Sequence, residues 1–223
     1  MKILTYLTIA SLILACMLVA SASEDNHGIT ADQALKILMA GNARFASGNS
    51  IHPDQSIEDR RAELVTSQHP FAVTVTCSDS RVPPEIVFDQ GLGDIFVIRT
   101  AGEVMDNVTI ASIEYAVDHL NVPLVLVIGH DGCGAVEAAV TGGETHGHIG
   151  SLVEAIKPAV DVARGMKGDL LSNSIDVNTQ NVVDQLKSAG PILSLAVKQG
   201  KLKILGGRYH LDSGKVTLLE PPE

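Results

Sequence analysis

Two uncharged runs constrain the fold more than any other feature. Phe71 to Thr76 (FAVTVT) is β-branched and largely apolar, and Val122 to Ile128 (VPLVLVI) is wholly apolar. Strands buried on both faces read this way, and such strands belong to parallel sheets covered by helices. Asp94 to Arg99 (DIFVIR) predicts a further strand between them.

Around the strands the apolar period changes to that of helices. ITADQALKILMAGNARFASGN repeats Ala34, Leu35, Leu38 and Met39 at helical spacing, with Gly41 or Gly48 as its stop. Ser56 to Thr66 predicts a short helix, and VPPEIVFDQGLGD a turn-rich link with a helical turn. TIASIEYAVDHL places Ile110, Ile113, Ala116 and Val117 on one helical face. AVEAAV starts another helix, and Ser151 to Gln199 is mainly helical. Lys203 to Gly206 and Lys215 to Leu219 look like closing strands. The expected fold is therefore α/β, a mostly parallel sheet flanked by helices in right-handed crossovers. The chain has 223 residues, 45% of them hydrophobic but only 3% aromatic, so its core must be aliphatic. No repeat or linker divides it, and residues 23–223 read as one domain.

Residues 1–22 stand apart from that domain. Lys2, a long apolar run and Ala20-Ser21-Ala22 have the order of a secretory signal peptide, which implies export, most simply to a periplasm. An uncleaved anchor, or a lipid-modified Cys16, are the alternatives. Cleavage would leave 15 Lys and Arg against 26 Asp and Glu, a formal charge of −11. A surface so acidic argues against nucleic acid and anionic membranes as partners.

Each long apolar run ends in chemistry. Cys77 closes the first and opens CSDSR; His130 closes the second, and Cys133 follows three residues later at the start of a helix. Ligands of open parallel sheets bind beyond the carboxyl ends of strands, so Cys77, His130 and Cys133 can meet there. Two cysteines and a histidine are a zinc set with one position left open, and helix amides would favour the Cys133 thiolate. Asp79 can reach the metal or its water, and Arg81 can grip that carboxylate with both arms. A Cys77–Cys133 disulfide or an ordinary Asp79–Arg81 surface pair are the plainer readings.

CSDSR, followed by GHDGCGA, resembles the β-class carbonic anhydrases, specifically their plant-like, open-site branch. LMAGNARFASG, VIRTAG, SIEYAV and GGRYHLDSGKV extend the likeness along the chain. The resemblance implies one Zn2+ per chain on Cys77, His130 and Cys133, with Asp79 and Arg81 as a catalytic dyad. It implies substrate contacts from Gln68, nine residues before the first zinc cysteine, from Phe96 and Tyr115 as cleft walls, partly supplied by a neighbouring subunit, and from the Gly134 amide. Phe96 and Tyr115 also read as core and helix packing, and Gln68 as a helix-end residue. Asp131 stands where the family commonly has serine or threonine, which adds an acid beside the metal. The other branch's inhibitory bicarbonate site uses a tryptophan; this chain has none, so that form of site is not expected. The implied reaction is reversible hydration of carbon dioxide to bicarbonate and a proton by zinc-bound hydroxide, in a homodimer or homotetramer. A hydrolase of carbonyl sulfide or carbon disulfide, or a non-catalytic zinc protein, are the rivals. His69, His146 and His148 are candidates for carrying the proton away.

Overall fold

A computed structural model describes residues 28–55 and 58–220. The signal-peptide reading, residues 1–22, and Ser56 lie outside the described residues. The first described helix, α1 (Ala31–Ala46), is started by Thr30, whose hydroxyl accepts from the Gln33 amide while Gln33 Oε1 accepts from Thr30 N. This reciprocal cap satisfies two donors that a helix start leaves open. The helix does not stop at Gly41. It runs on because Gly41 packs against another backbone: a Cβ there would lie 1.8 Å from the Phe88 carbonyl oxygen. The next residue, the buried Asn42, donates to the Val87 and Gly214 carbonyls and accepts from Val216 N, so α1 is tied to two distant segments.

A short helix α2 (Glu58–Glu63) precedes strand β1 (Ala72–Thr76). The chain continues through α3 (Pro84–Val87), β2 (Ile95–Arg99), a 3-10 turn at Ala101–Glu103, α4 (Asn107–Asp118) and β3 (Leu124–His130). Then come α5 (Gly134–Thr141), α6 (Ile149–Ala163), α7 (Leu170–Ser188), α8 (Ile192–Lys198), β4 (Lys203–Tyr209) and β5 (Val216–Leu218). The mainly helical stretch expected over 151–199 is three helices, broken around Gly165, Gly168 and Gly190-Pro191. No described helix is long and apolar enough to cross a membrane.

The five strands lie in the order β2-β1-β3-β4-β5, all parallel except the short β5. Every residue of β1 and β3 is buried, which explains why neither carries a charge before its end; β1 includes two buried threonines, Thr74 and Thr76. Alternate residues serve the two faces. Val73, Val75, Val125 and Val127 pack with Ile113, Val183 and Leu186 on one side. Ala72, Leu124, Leu126 and Ile128 pack with Ala34, Leu38 and Phe88 on the other. β2 is half-buried throughout and, among the described residues, pairs with β1 alone, so the described sheet has an open edge there.

The chain leaves β1 towards β2 and leaves β3 in the opposite direction, towards β4. The switch of direction falls between β1 and β3, and a crevice opens at their carboxyl ends. β3 runs two residues further than the sequence pattern suggests, because Gly129 and His130 pair with Arg208 and Tyr209 of β4. His130 is therefore the last residue of the strand and is fully buried.

Candidate metal centre

Cys77 follows β1, His130 ends β3 and Cys133 sits at the N-cap of α5, so all three meet at the switch point. Their ligand atoms lie within 4.8 Å of one another, and all three residues are buried. The two sulfurs are 3.9 Å apart and unbonded, which rules out a disulfide here. Two zinc–sulfur bonds of about 2.3 Å at a tetrahedral angle would place the sulfurs about 3.8 Å apart. His130 Nδ1 is 2.9 Å from the Asp131 carbonyl oxygen, to which it can only donate, while buried Nε2 has no partner. That tautomer leaves a lone pair on Nε2 facing the sulfurs. The donor set fits zinc in number, type and spacing.

The thiols are not equivalent. The hydrogen bond from Cys133, helped by the Gly102 amide, lowers the Cys77 pKa to about 4 against the effect of burial. Cys133 moves the other way: the Cys77 thiolate and burial raise it. A helix amide, that of Val136, does favour the Cys133 thiolate as the sequence suggests, but it is outweighed.

The CSDSR loop is held by more than its own residues. Arg81 Nε and Nη2 donate to Asp79 Oδ1 and Oδ2 at 2.9 and 2.7 Å, and the Arg81 amide adds a bond to Oδ1. These bonds keep the Asp79 carboxyl ionised far below neutral pH. Arg81 also donates to the Gly132 carbonyl, which ties the loop after β1 to the turn before Cys133. Asp79 Oδ2 stands 3.9 Å from His130 Nε2, beside the donor set but engaged by Arg81.

Arg99 was not singled out in the sequence, yet it donates to the Cys77 and Asp79 carbonyls at 3.0 and 2.6 Å. Its place at the end of β2, next to the end of β1, is the signal that could have found it. Gly102, at φ +64, turns its amide onto Cys77 Sγ at 3.3 Å, a left-handed conformation that glycine adopts freely. Beside it Glu103 is fully buried, and burial and Cys77 push its carboxyl pKa well up. The shift favours the uncharged form beside the thiolates.

The remaining residues named from the sequence fall into two groups. Gly134 follows Cys133 directly, and a Cβ on it would meet nothing within 4 Å, so this side of the helix start is open. It borders a cavity of about 460 Å³ that His146 also lines. Gln68, Phe96 and Tyr115 are not brought to the donor set within one chain. Phe96 pairs with Val73, four residues before Cys77, which is about 13 Å down the strand at 3.3 Å per residue. Its ring lies 6.4 Å from that of Tyr115, which is 46% exposed. Gln68 is exposed and lines a separate cavity of about 730 Å³ with Arg61, Glu85 and Ile86. All three lie towards the open β2 edge.

Comparison with known proteins matches this sequence and architecture. The sequence profile of the family described as carbonic anhydrase matches residues 72–216. Carbonic anhydrase 2 of Mycobacterium tuberculosis is 45% identical over 192 residues, covering 83% of this chain and 91% of that protein. A Coccomyxa β-carbonic anhydrase, solved with acetazolamide, aligns with a TM-score of 0.66 at 26% identity, over 85% of this chain and 86% of that one. One of two tetrameric β-carbonic anhydrases of Sordaria macrospora shares the fold at a TM-score of 0.67 and 22% identity, over 84% and 97%. By sequence, fold and the donor set at its switch point, the chain belongs to the carbonic anhydrase family, in its β class.

Proposed function

We propose that Cys77, His130 and Cys133 hold one zinc ion per chain, and that Asp79 and Arg81 serve its open position. The protein is a zinc-dependent carbonic anhydrase, interconverting carbon dioxide and water with bicarbonate and a proton. The observation that carries the residue assignment is the buried trio, with a partnerless Nε2 and sulfurs at tetrahedral spacing. Zinc, when bound, supplies a water whose pKa falls towards about 7. Asp79, held as an anion by Arg81, would accept a hydrogen bond from a water at the open position and orient it. The Gly134 amide, in the first turn of α5, is available to a developing carboxylate oxygen. Stopped-flow hydration of carbon dioxide, with zinc quantified in the same sample, tests this reading. Fast turnover with one zinc per chain supports it; full zinc with turnover of carbonyl sulfide or carbon disulfide but not of carbon dioxide would overturn it.

Gln68, Phe96 and Tyr115 act, in this proposal, across a homodimer formed at the β2 edge, where they wall the neighbouring chain's cleft. Supporting this are the unpaired side of β2 and the exposure of Tyr115, Ile86 and Leu92 beside it. The Sordaria relatives are tetrameric, and a pair of such dimers is the larger assembly proposed here. Light scattering after size exclusion should show a dimer or tetramer; a fully active monomer would refute the shared cleft. The protein is also proposed to be exported, with residues 1–22 removed and no membrane contact thereafter. Its first residue, read by mass spectrometry from the periplasmic fraction, should be near Ser23. A lipid on Cys16, or an intact amino terminus in the cytoplasm, would decide against cleavage there.

A further inference from the structure

His130 presents Nε2 only while Nδ1 keeps its proton, and the Asp131 carbonyl oxygen holds that proton at 2.9 Å. Asp131 lies just past the end of β3, where the strand ladder ends with its amide donating to the Tyr209 carbonyl. Something else must hold its peptide still. The sequence leaves open which way its carboxylate points; in the structure it turns to Arg208 and His210. Arg208 Nε donates to Oδ1 at 2.7 Å, and His210 Nδ1 lies 3.3 Å from Oδ2. Both of these residues are braced from behind. Arg208 Nη1 donates to Ser172 Oγ, the Ser172 carbonyl and Asp176 Oδ1, at 2.8, 3.0 and 3.1 Å, all in the first two turns of α7. His210 Nε2 is 3.0 Å from Thr217 Oγ1 on β5.

The Arg208 side chain is only 12% exposed, and its charge is matched by two carboxylates. A guanidinium this enclosed, with hydrogen bonds on both sides, has little freedom. Helix α7, strand β4 and strand β5 are thereby all joined to the one residue whose carbonyl orients His130. Partners of this kind fix the tautomer and ring angle of a ligating imidazole. We propose that Arg208 and His210 are positioning residues of the metal centre: by clamping Asp131 from two sides they hold its carbonyl against His130 Nδ1 and so aim Nε2. This rests on the reading of His130 as a metal ligand.

The test is chelator competition for zinc on the full exported chain, together with the visible spectrum of the cobalt(II) form. The variants are Arg208→Ala, Arg208→Lys, His210→Ala, Asp176→Ala and His130→Ala, with thermal unfolding followed for each. Arg208→Ala is expected to weaken zinc about 10–100-fold and to alter the cobalt bands. Arg208→Lys should recover part of both, since it keeps a donor for Asp131. Asp176→Ala removes a brace on α7 but leaves the Asp131 clamp, so it should lower the unfolding temperature without changing zinc affinity. That contrast separates positioning from simple support of the fold. Wild-type zinc affinity and cobalt spectra in both Arg208→Ala and His210→Ala would overturn the proposal. Should Arg208→Ala fail to fold, Arg208→Lys and His210→Ala decide the matter by the same two measurements. If His130→Ala binds zinc as tightly as wild type, the ligand set itself is wrong, and the clamp falls with it.

Discussion

Cys133→Ser is expected to abolish zinc retention and carbon dioxide hydration together, with turnover falling by at least about 10⁴-fold, because a water without the metal returns to a pKa near 15.7. The serine hydroxyl is nearly the same size as the thiol but does not ionise near neutral pH. It leaves a nitrogen and one sulfur where zinc needs two thiolates. Unfolding is not the cause to expect. Cys133 occupies the N-cap of α5 and makes no side-chain cap bond. Serine is a preferred N-cap residue, worth roughly 1 kcal/mol to a helix start. The variant should therefore melt no earlier than zinc-free wild type. Metal analysis and stopped-flow rates on the same preparation check the result; a variant that keeps both zinc and rate would remove Cys133 from the donor set.

Asp79→Asn should separate the metal from the chemistry. The amide fits the same volume, and neither Asp79 oxygen is needed to hold the three donors together, so zinc should stay. The plateau rate should fall about 10²–10⁴-fold, the range for loss of a positioned proton-accepting group. The pH profile carries a second expectation. Arg81 keeps Asp79 ionised far below neutral pH, so a rise in wild-type rate near pH 7 belongs to the metal's water and not to this carboxyl. A nearby anion opposes ionisation of that water. Its removal should move the inflection to lower pH even as the plateau falls. An unchanged plateau would take Asp79 out of the reaction, and an inflection moved to higher pH would contradict the charge argument.

Much of this was readable along the chain. β1 and β3 announce themselves because strands buried on both faces carry β-branched and aliphatic residues without charge, and each leads straight to a donor. The Asp79–Arg81 grip spans two residues, a separation at which a turn alone decides contact. Boundaries were less secure where tertiary pairing extends an element. β3 gains Gly129 and His130 from its ladder with β4, and α1 passes through Gly41 because Phe88 needs that space. The helix amide that favours the Cys133 thiolate is legible in the sequence; the opposing effect of the Cys77 sulfur is not, because that neighbour lies 56 residues away.

What the residues determine alone is therefore local: which segments are buried strands, which are helices, and which side chains could bind zinc. What they leave open is adjacency. Strand order places the Cys77 and His130 ends side by side, puts β2 at an open edge with Phe96, and lays Arg208 and His210 against Asp131 from 77 and 79 positions away. Apolar runs of similar composition pair almost equally well in several orders. The choice among them rests on the whole set of helices that must cover both faces of the sheet, and no single segment carries that information.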